Sequence, residues 1–163
     1  MRPRAQRWSV PRQASGFTII EMMIVVTILA ILSAVAAPNM IDMVRNQRVK
    51  TASFDTFAGL VLARSEAIKR NTSVTVTPVS GGDWATGWVT KDTNGNVLSR
   101  QDPLTGVIFT GPASVTFTGM GRLSAAVDPF TLTATNLGTA RARCITIDLS
   151  GRPVSKQGAG TTC

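Results

Sequence analysis

The chain has 163 residues, with 17 Lys or Arg against 9 Asp or Glu and neither histidine nor tyrosine. At that length one domain with a distinct N-terminus is the natural expectation. The missing imidazole excludes histidine-based triads, dyads and metal sites, and a formal net charge of +8 favours an anionic partner.

Arg2, Arg4, Arg7 and Arg12 come first, with no acid among them. Residues 17–37 then form an apolar run of 21 residues carrying one charge, Glu21. As a helix it would span about 31 Å, against about 30 Å for a hydrocarbon core. The positive-inside bias puts residues 1–16 in the cytoplasm and everything after the helix across the membrane. A signal peptide could be cut at Ala34-Val35-Ala36, but its apolar region would be unusually long and would hold a carboxylate. A plain membrane anchor leaves Glu21 without a partner, although a charge in hydrocarbon normally has one.

The string Gly16-Phe17-Thr18-Ile19-Ile20-Glu21 resembles the cleavage signature of type IV prepilins and pseudopilins. The resemblance implies that a prepilin peptidase cuts between Gly16 and Phe17 and that the new amine of Phe17 is methylated. It also gives Glu21 a partner: in a filament, its carboxylate meets the Phe17 amine of a neighbouring subunit. Two charges that are each costly in lipid then form a pair that sets axial register.

Pro38 removes one helical hydrogen bond and predicts a bend, since helical periodicity resumes beyond it. Phe54, Phe57, Leu60, Val61, Arg64 (by its stem), Ala67 and Ile68 recur at helical spacing and predict the stripe laid on a sheet. Lys69 and Arg70 suit a helix C-terminus and Asn71 a stop, so one helix is expected over 17–71. Ala63-Arg64-Ser65-Glu66-Ala67-Ile68, Ser73-Val74-Thr75-Val76 and Trp84-Ala85-Thr86-Gly87-Trp88 are similar to the GspH/FimT-like branch of the same superfamily.

Composition then turns to Thr, Val and Gly, with alternating strands expected over 73–78, 87–91, 97–100, 107–110, 114–118, 130–134 and 143–149. Turns are expected at Ser80-Gly81-Gly82, Asn94-Gly95, Gly119-Met120-Gly121 and Ser150-Gly151. The pattern is that of an antiparallel sandwich or two small sheets packed on the helix. Trp84 and Trp88 read as core, with a subunit contact as the alternative. An EF-hand from Asp92 would need glycine sixth and glutamate twelfth, where Val97 and Pro103 stand, so Asn94-Gly95 reads as a hairpin turn. A looser calcium loop with Asp102 is the alternative. No metal or cofactor is implied.

Cys144 and Cys163 most simply form one disulfide closing a loop of about 20 residues, with two free thiols as the alternative. Some FimT-like pilins bind DNA through a Gly-Arg-x-Arg tail motif. Gly151-Arg152 resembles its first half, but Val154 replaces the second arginine. Arg141, Arg143, Arg152 and Lys156 are candidates for one basic, DNA-binding patch; the other reading is a solvated strand end.

The resulting expectation is an α+β, pilin-like chain: a basic leader (1–16), a long helix (17–71) whose first half (17–37) is transmembrane, and an exported β-rich head (72–163). The resemblance implies a minor pilin of a type IV pilus or a minor pseudopilin of type II secretion. It would sit in the inner membrane of a Gram-negative bacterium with its head in the periplasm. Expected partners are other major and minor pilins or pseudopilins, the prepilin peptidase, and DNA or secreted cargo. No side chains suggest an enzyme. The alternatives are a DNA-uptake pilin and a soluble periplasmic domain released after Ala36.

Overall fold

The computed structural model describes residues 16–135, 141–158, 160 and 163, and the side chains at 35–39 lie outside that description. Most of the basic leader and residues 137–140 of the tail therefore fall outside it. Helix α1 spans Ile19–Arg70, 52 residues, and is continuous through Pro38. Thr18 caps its start: the Thr18 Oγ1 accepts the Glu21 N–H at 3.2 Å. At the other end Asn71 adopts φ 48°, and the Thr72 and Asn71 N–H groups donate to the Ala67 and Ile68 carbonyls, each at 3.2 Å. That pairing satisfies the last carbonyls of the helix through a left-handed residue, as asparagine permits.

Among the described residues no helix is long and apolar enough to cross a membrane. Phe17 and Thr18 precede α1. The chain divides between Pro38 and Asn39 into two compact units. The boundary expected at 71/72 marks only the end of α1, because residues 49–67 of the helix belong to the core of the second unit.

That unit carries β1 (Val74–Ser80), β2 (Asp83–Asp92), β3 (Val97–Gln101), β4 (Val107–Thr110), β5 (Val115–Phe117), β6 (Phe130–Ala134), β7 (Arg143–Ile147) and β8 (Pro153–Gln157). They form two four-stranded sheets, ordered β3-β2-β1-β5 and β4-β6-β7-β8, with every neighbouring pair antiparallel. Seven strands match expected segments. β8 was not expected, and β7 stops at Ile147 rather than Leu149 because Asp148 opens the turn into it.

The helical stripe differs from the expected one. Val49, Ala52, Ser53, Thr56, Leu60, Ala63 and Ala67 are buried, whereas Phe54 is 70% exposed and Val61 and Ile68 are also solvent-facing. The reason lies in what opposes them. Trp84, Trp88, Phe109 and Phe130 form one cluster, with the Trp84 and Phe130 rings edge to face at 4.9 Å. Large rings from the sheets require small side chains from the helix if no void or clash is to remain. A Cβ added at Gly59 would lie 3.0 Å from Trp88 Nε1. Trp84 donates its indole N–H to the Pro112 carbonyl at 2.8 Å, so its polar end is satisfied inside the core.

Gly151, in the β7–β8 turn, has φ 77°, and a Cβ there would meet the Gly121 carbonyl oxygen. Gly82 has φ 78°, but nothing lies within 4 Å of its added Cβ. Gly82→Ala should therefore cost only the left-handed strain, about 1–2 kcal/mol. Gly151→Ala should cost clearly more. Thermal unfolding of both variants checks this, at roughly 4–8 °C per kcal/mol for a head of this size; equal midpoints would show that the turn can move away from Gly121.

Candidate functional site

Two regions carry the residues singled out above. In the first, Gly16 and Phe17 precede α1 and are exposed, Phe17 at 78%. A side chain added at Gly16 meets nothing within 4 Å, so packing within the chain does not demand glycine there. Glu21 is exposed in the first turn of α1, three residues after the Thr18 cap. Thr18 and Glu21 thus stand at the N-cap and N3 positions, with the spacing of a Thr-x-x-Glu capping box, and the Thr18 hydroxyl supplies the N-cap bond to the Glu21 backbone. That spacing is a local signal in the sequence, beside the partner outside the chain expected for the Glu21 carboxylate. The apolar side chains from Ile19 to Leu32 all point to solvent.

The second region is the β7–β8 hairpin. Cys144 and Cys163 are joined, with their Cα atoms 5.5 Å apart, as the simplest reading of the two cysteines expected. The hairpin pairs Arg143 with Gln157, Cys144 with Lys156, and Ile147 with Pro153. Successive strand residues face opposite sides, so Arg143 and Lys156 project from opposite faces of the sheet. Arg143 shares its face with the buried Ile145 and with Ser155, whose hydroxyl lies 3.1 Å from that of Ser53 on α1. Arg152 lies in the turn, five residues or about 16 Å along the hairpin from the Arg143 pair at roughly 3.3 Å per residue.

The four cations expected in one patch are therefore separated: Arg141 and Arg143 come together, while Arg152 and Lys156 do not join them. Their companion is Lys50 of α1. With Asn46, Gln47 and Gln157, these three cations line a cavity of about 260 Å³ with no acid in its wall. Nothing in the sequence ties Lys50 to Arg143, because their meeting depends on the placement of the β7–β8 hairpin against α1. Gly151 of the Gly-Arg pair has a structural role, since it sits against the Gly121 backbone.

Three carboxylates are held by neighbours close in sequence. A bond from Arg70 lowers Glu66 against desolvation, with help from the charges of Lys69 and Arg70. The Asn96 side chain is the main cause for Asp92, helped by the Asn96 and Asn94 N–H groups. For Asp148 it is the Ser150 hydroxyl, then the Arg152 N–H. Asp92 spends its oxygens on the β2–β3 turn, as the hairpin reading expected. Among the described residues no group of three potential ligands is positioned to hold a metal ion.

Comparison with known proteins gives two family models and one fold. The model for the type II transport protein GspH matches residues 55–151, and that for the prokaryotic N-terminal methylation motif matches residues 11–37. The type IV minor pilin FimU of Pseudomonas aeruginosa PAO1 has a similar structure in two crystal forms. In space group P21 the TM-score is 0.61 at 20% identity, covering 71% of this chain and 96% of FimU. In P65 it is 0.59 at 22% identity, covering 69% and 98%. No curated protein matches the sequence.

Two outcomes follow for the head. Its three depressed carboxylates have folded pKa values below their unfolded ones. Their stabilisation is complete above the unfolded values and lost as pH falls through the folded ones. The unfolding midpoint should be level near neutrality and fall below about pH 4, and Asp148→Asn should make that acid slope shallower. Reducing the disulfide, which spans 19 residues of sequence, should cost about 3 kcal/mol in the chain-entropy model, read as a lower melting midpoint.

Proposed function

The chain belongs to the GspH family of type II transport proteins, and from that premise we propose how it is processed, anchored and assembled as a minor pilin or pseudopilin subunit. The observation that carries this reading is the coincidence of the N-terminal methylation motif over 11–37 with a GspH head over 55–151 on one chain.

Cleavage between Gly16 and Phe17 leaves a methylated amine two residues before α1 begins. The apolar run over 17–37 then lies in the inner membrane, which agrees with the outward-facing Ile, Met, Val and Leu side chains of 19–32. The head stands in the periplasm. In the filament, Glu21 of one subunit pairs with the Phe17 amine of the next, and α1 packs in the stem beside other pilins or pseudopilins. The work is structural: the head presents its surface to neighbouring subunits and to cargo or surface ligands.

Intact-mass and N-terminal analysis of the protein from its host should find a mature chain starting at methylated Phe17. A chain starting at Ala37 or Asn39 would overturn the reading in favour of a released periplasmic domain. Glu21→Gln keeps the capping-box residue type, because glutamine also serves at N3. It should nevertheless reduce incorporation into filaments at least about tenfold, since removing one partner of a buried pair costs about 3–5 kcal/mol. Normal incorporation of the cleaved Gln variant would sink the pairing.

A further inference from the structure

A groove runs between α1 and the β7–β8 hairpin. One part is the basic cavity of Lys50, Arg141 and Arg143; the next, about 360 Å³, is lined by Phe54, Phe57 and Ser155 and shares Lys50 and Arg143 with the first. No acid lines either part. Beside the groove lies the outer edge of the second sheet, since among the described residues β8 is its last strand. The Gly158 N–H donates to the Ala142 carbonyl and the Asp148 N–H to the Arg152 carbonyl. Alternation along an antiparallel ladder then turns the main-chain groups of Ser155 and Gln157 away from β7. Pro153, the next outward position, lacks an N–H, so the edge is blunted at that end and open for pairing at the cationic end.

We propose that this groove docks an extended segment of another protein, which adds to the β8 edge and carries a carboxylate two residues from an aromatic or aliphatic side chain. The spacing follows from the edge itself. Gln157 lines the basic part and Ser155 the aromatic part, two residues apart on one face. A paired strand repeats side chains on one face with the same period, so its acid meets Lys50 and Arg143 when its apolar residue meets Phe54 and Phe57. The charge complementarity is one-sided, and a free strand edge recognises a peptide main chain rather than a nucleotide. A nucleic acid would instead need a row of cations tracking its phosphates, and Arg152 and Lys156 point elsewhere. The docking uses residues of the Asn39–Cys163 unit alone and does not depend on how the N-terminus is processed or assembled.

The test is fluorescence anisotropy on the full chain in detergent micelles with labelled ten-residue peptides. The probes contain Asp-Thr-Phe or Phe-Thr-Asp, and the controls have the same composition with Asp and Phe adjacent. At least one spaced probe should bind about tenfold more tightly than its adjacent control, the value of one well-placed charge-assisted contact. Lys50→Glu and Phe54→Ser change exposed residues, and each should weaken the spaced probe about tenfold and leave the melting midpoint in place. Methylating alternate peptide amides should abolish binding in one register and spare it in the other. Equal affinity for spaced and adjacent peptides, indifference to both substitutions, or indifference to amide methylation would overturn the proposal. So would tighter, competing binding of a single-stranded oligonucleotide.

Discussion

How closely α1 approaches the sheets sets the rest of the head. Ala52, Ser53, Thr56, Ala63 and Ala67 set small side chains beside Val49 and Leu60 on the buried face, and Gly59 lets the Trp88 ring come within contact. The volume they leave is filled from the other side by Trp84, Trp88, Phe109 and Phe130. Each such ring, truncated to alanine, costs about 3–5 kcal/mol in a well-packed core. Polar contacts then fix the helix in rotation and translation. The Arg64 Nε donates to the Gly121 carbonyl at 2.9 Å, and the Ser53 and Ser155 hydroxyls meet at 3.1 Å. The first holds the helix to the loop after β5, in the first sheet, and the second to β8, in the second, so α1 is referenced to both sheets.

This arrangement decides which side chains remain for partners. Because the small residues face inward, Phe54, Val61 and Ile68 are turned out, and Lys50 is brought over the hairpin beside Arg143. The hairpin contributes the other half. Its turn closes on Asp148, which accepts from the Ser150 hydroxyl and the Arg152 N–H, and on Gly151, which lies against the Gly121 backbone. With the turn fixed, the register is fixed, and a shift of one residue would bring Arg143 and Lys156 onto one face. The disulfide ties Cys163 back to Cys144 on the face opposite Arg143, leaving the α1 side of the hairpin to the cations and rings.

Much of this was legible in the sequence. The helix stop at Asn71, the glycine turns and most strands follow from local rules, whereas the motif at 16–21 and a pilin-like architecture came from the family resemblance, and the structure has the α+β fold that both implied. The stripe on α1 was misjudged because apolar periodicity marks Phe54 as core, whereas the sheets supply the bulk and the helix supplies the space. That exchange is a tertiary property. β8 escaped notice because Pro153-Val154-Ser155-Lys156-Gln157 is polar and opens on proline, the composition of an exposed edge rather than of a buried strand. Missing β8 meant missing the register, and so one patch of four cations stayed open as a reading where only two of them meet.

At the other end of the chain, the local role of Glu21 bears on what its proposed filament contact can do. A carboxylate in the first turn gains about 0.3–1 kcal/mol from the helix dipole, and the Thr18 cap is satisfied within the same chain. On the proposed processing, the Phe17 amine arises just before that cap in every subunit. The apolar side chains between Ile19 and Leu32 then supply the bulk of the driving force for assembly. What the pair contributes is selectivity. A subunit displaced along the axis would leave a carboxylate and an amine unmatched in a medium of low dielectric, and that penalty, several kcal/mol per ion, rejects wrong registers more strongly than the right one is favoured.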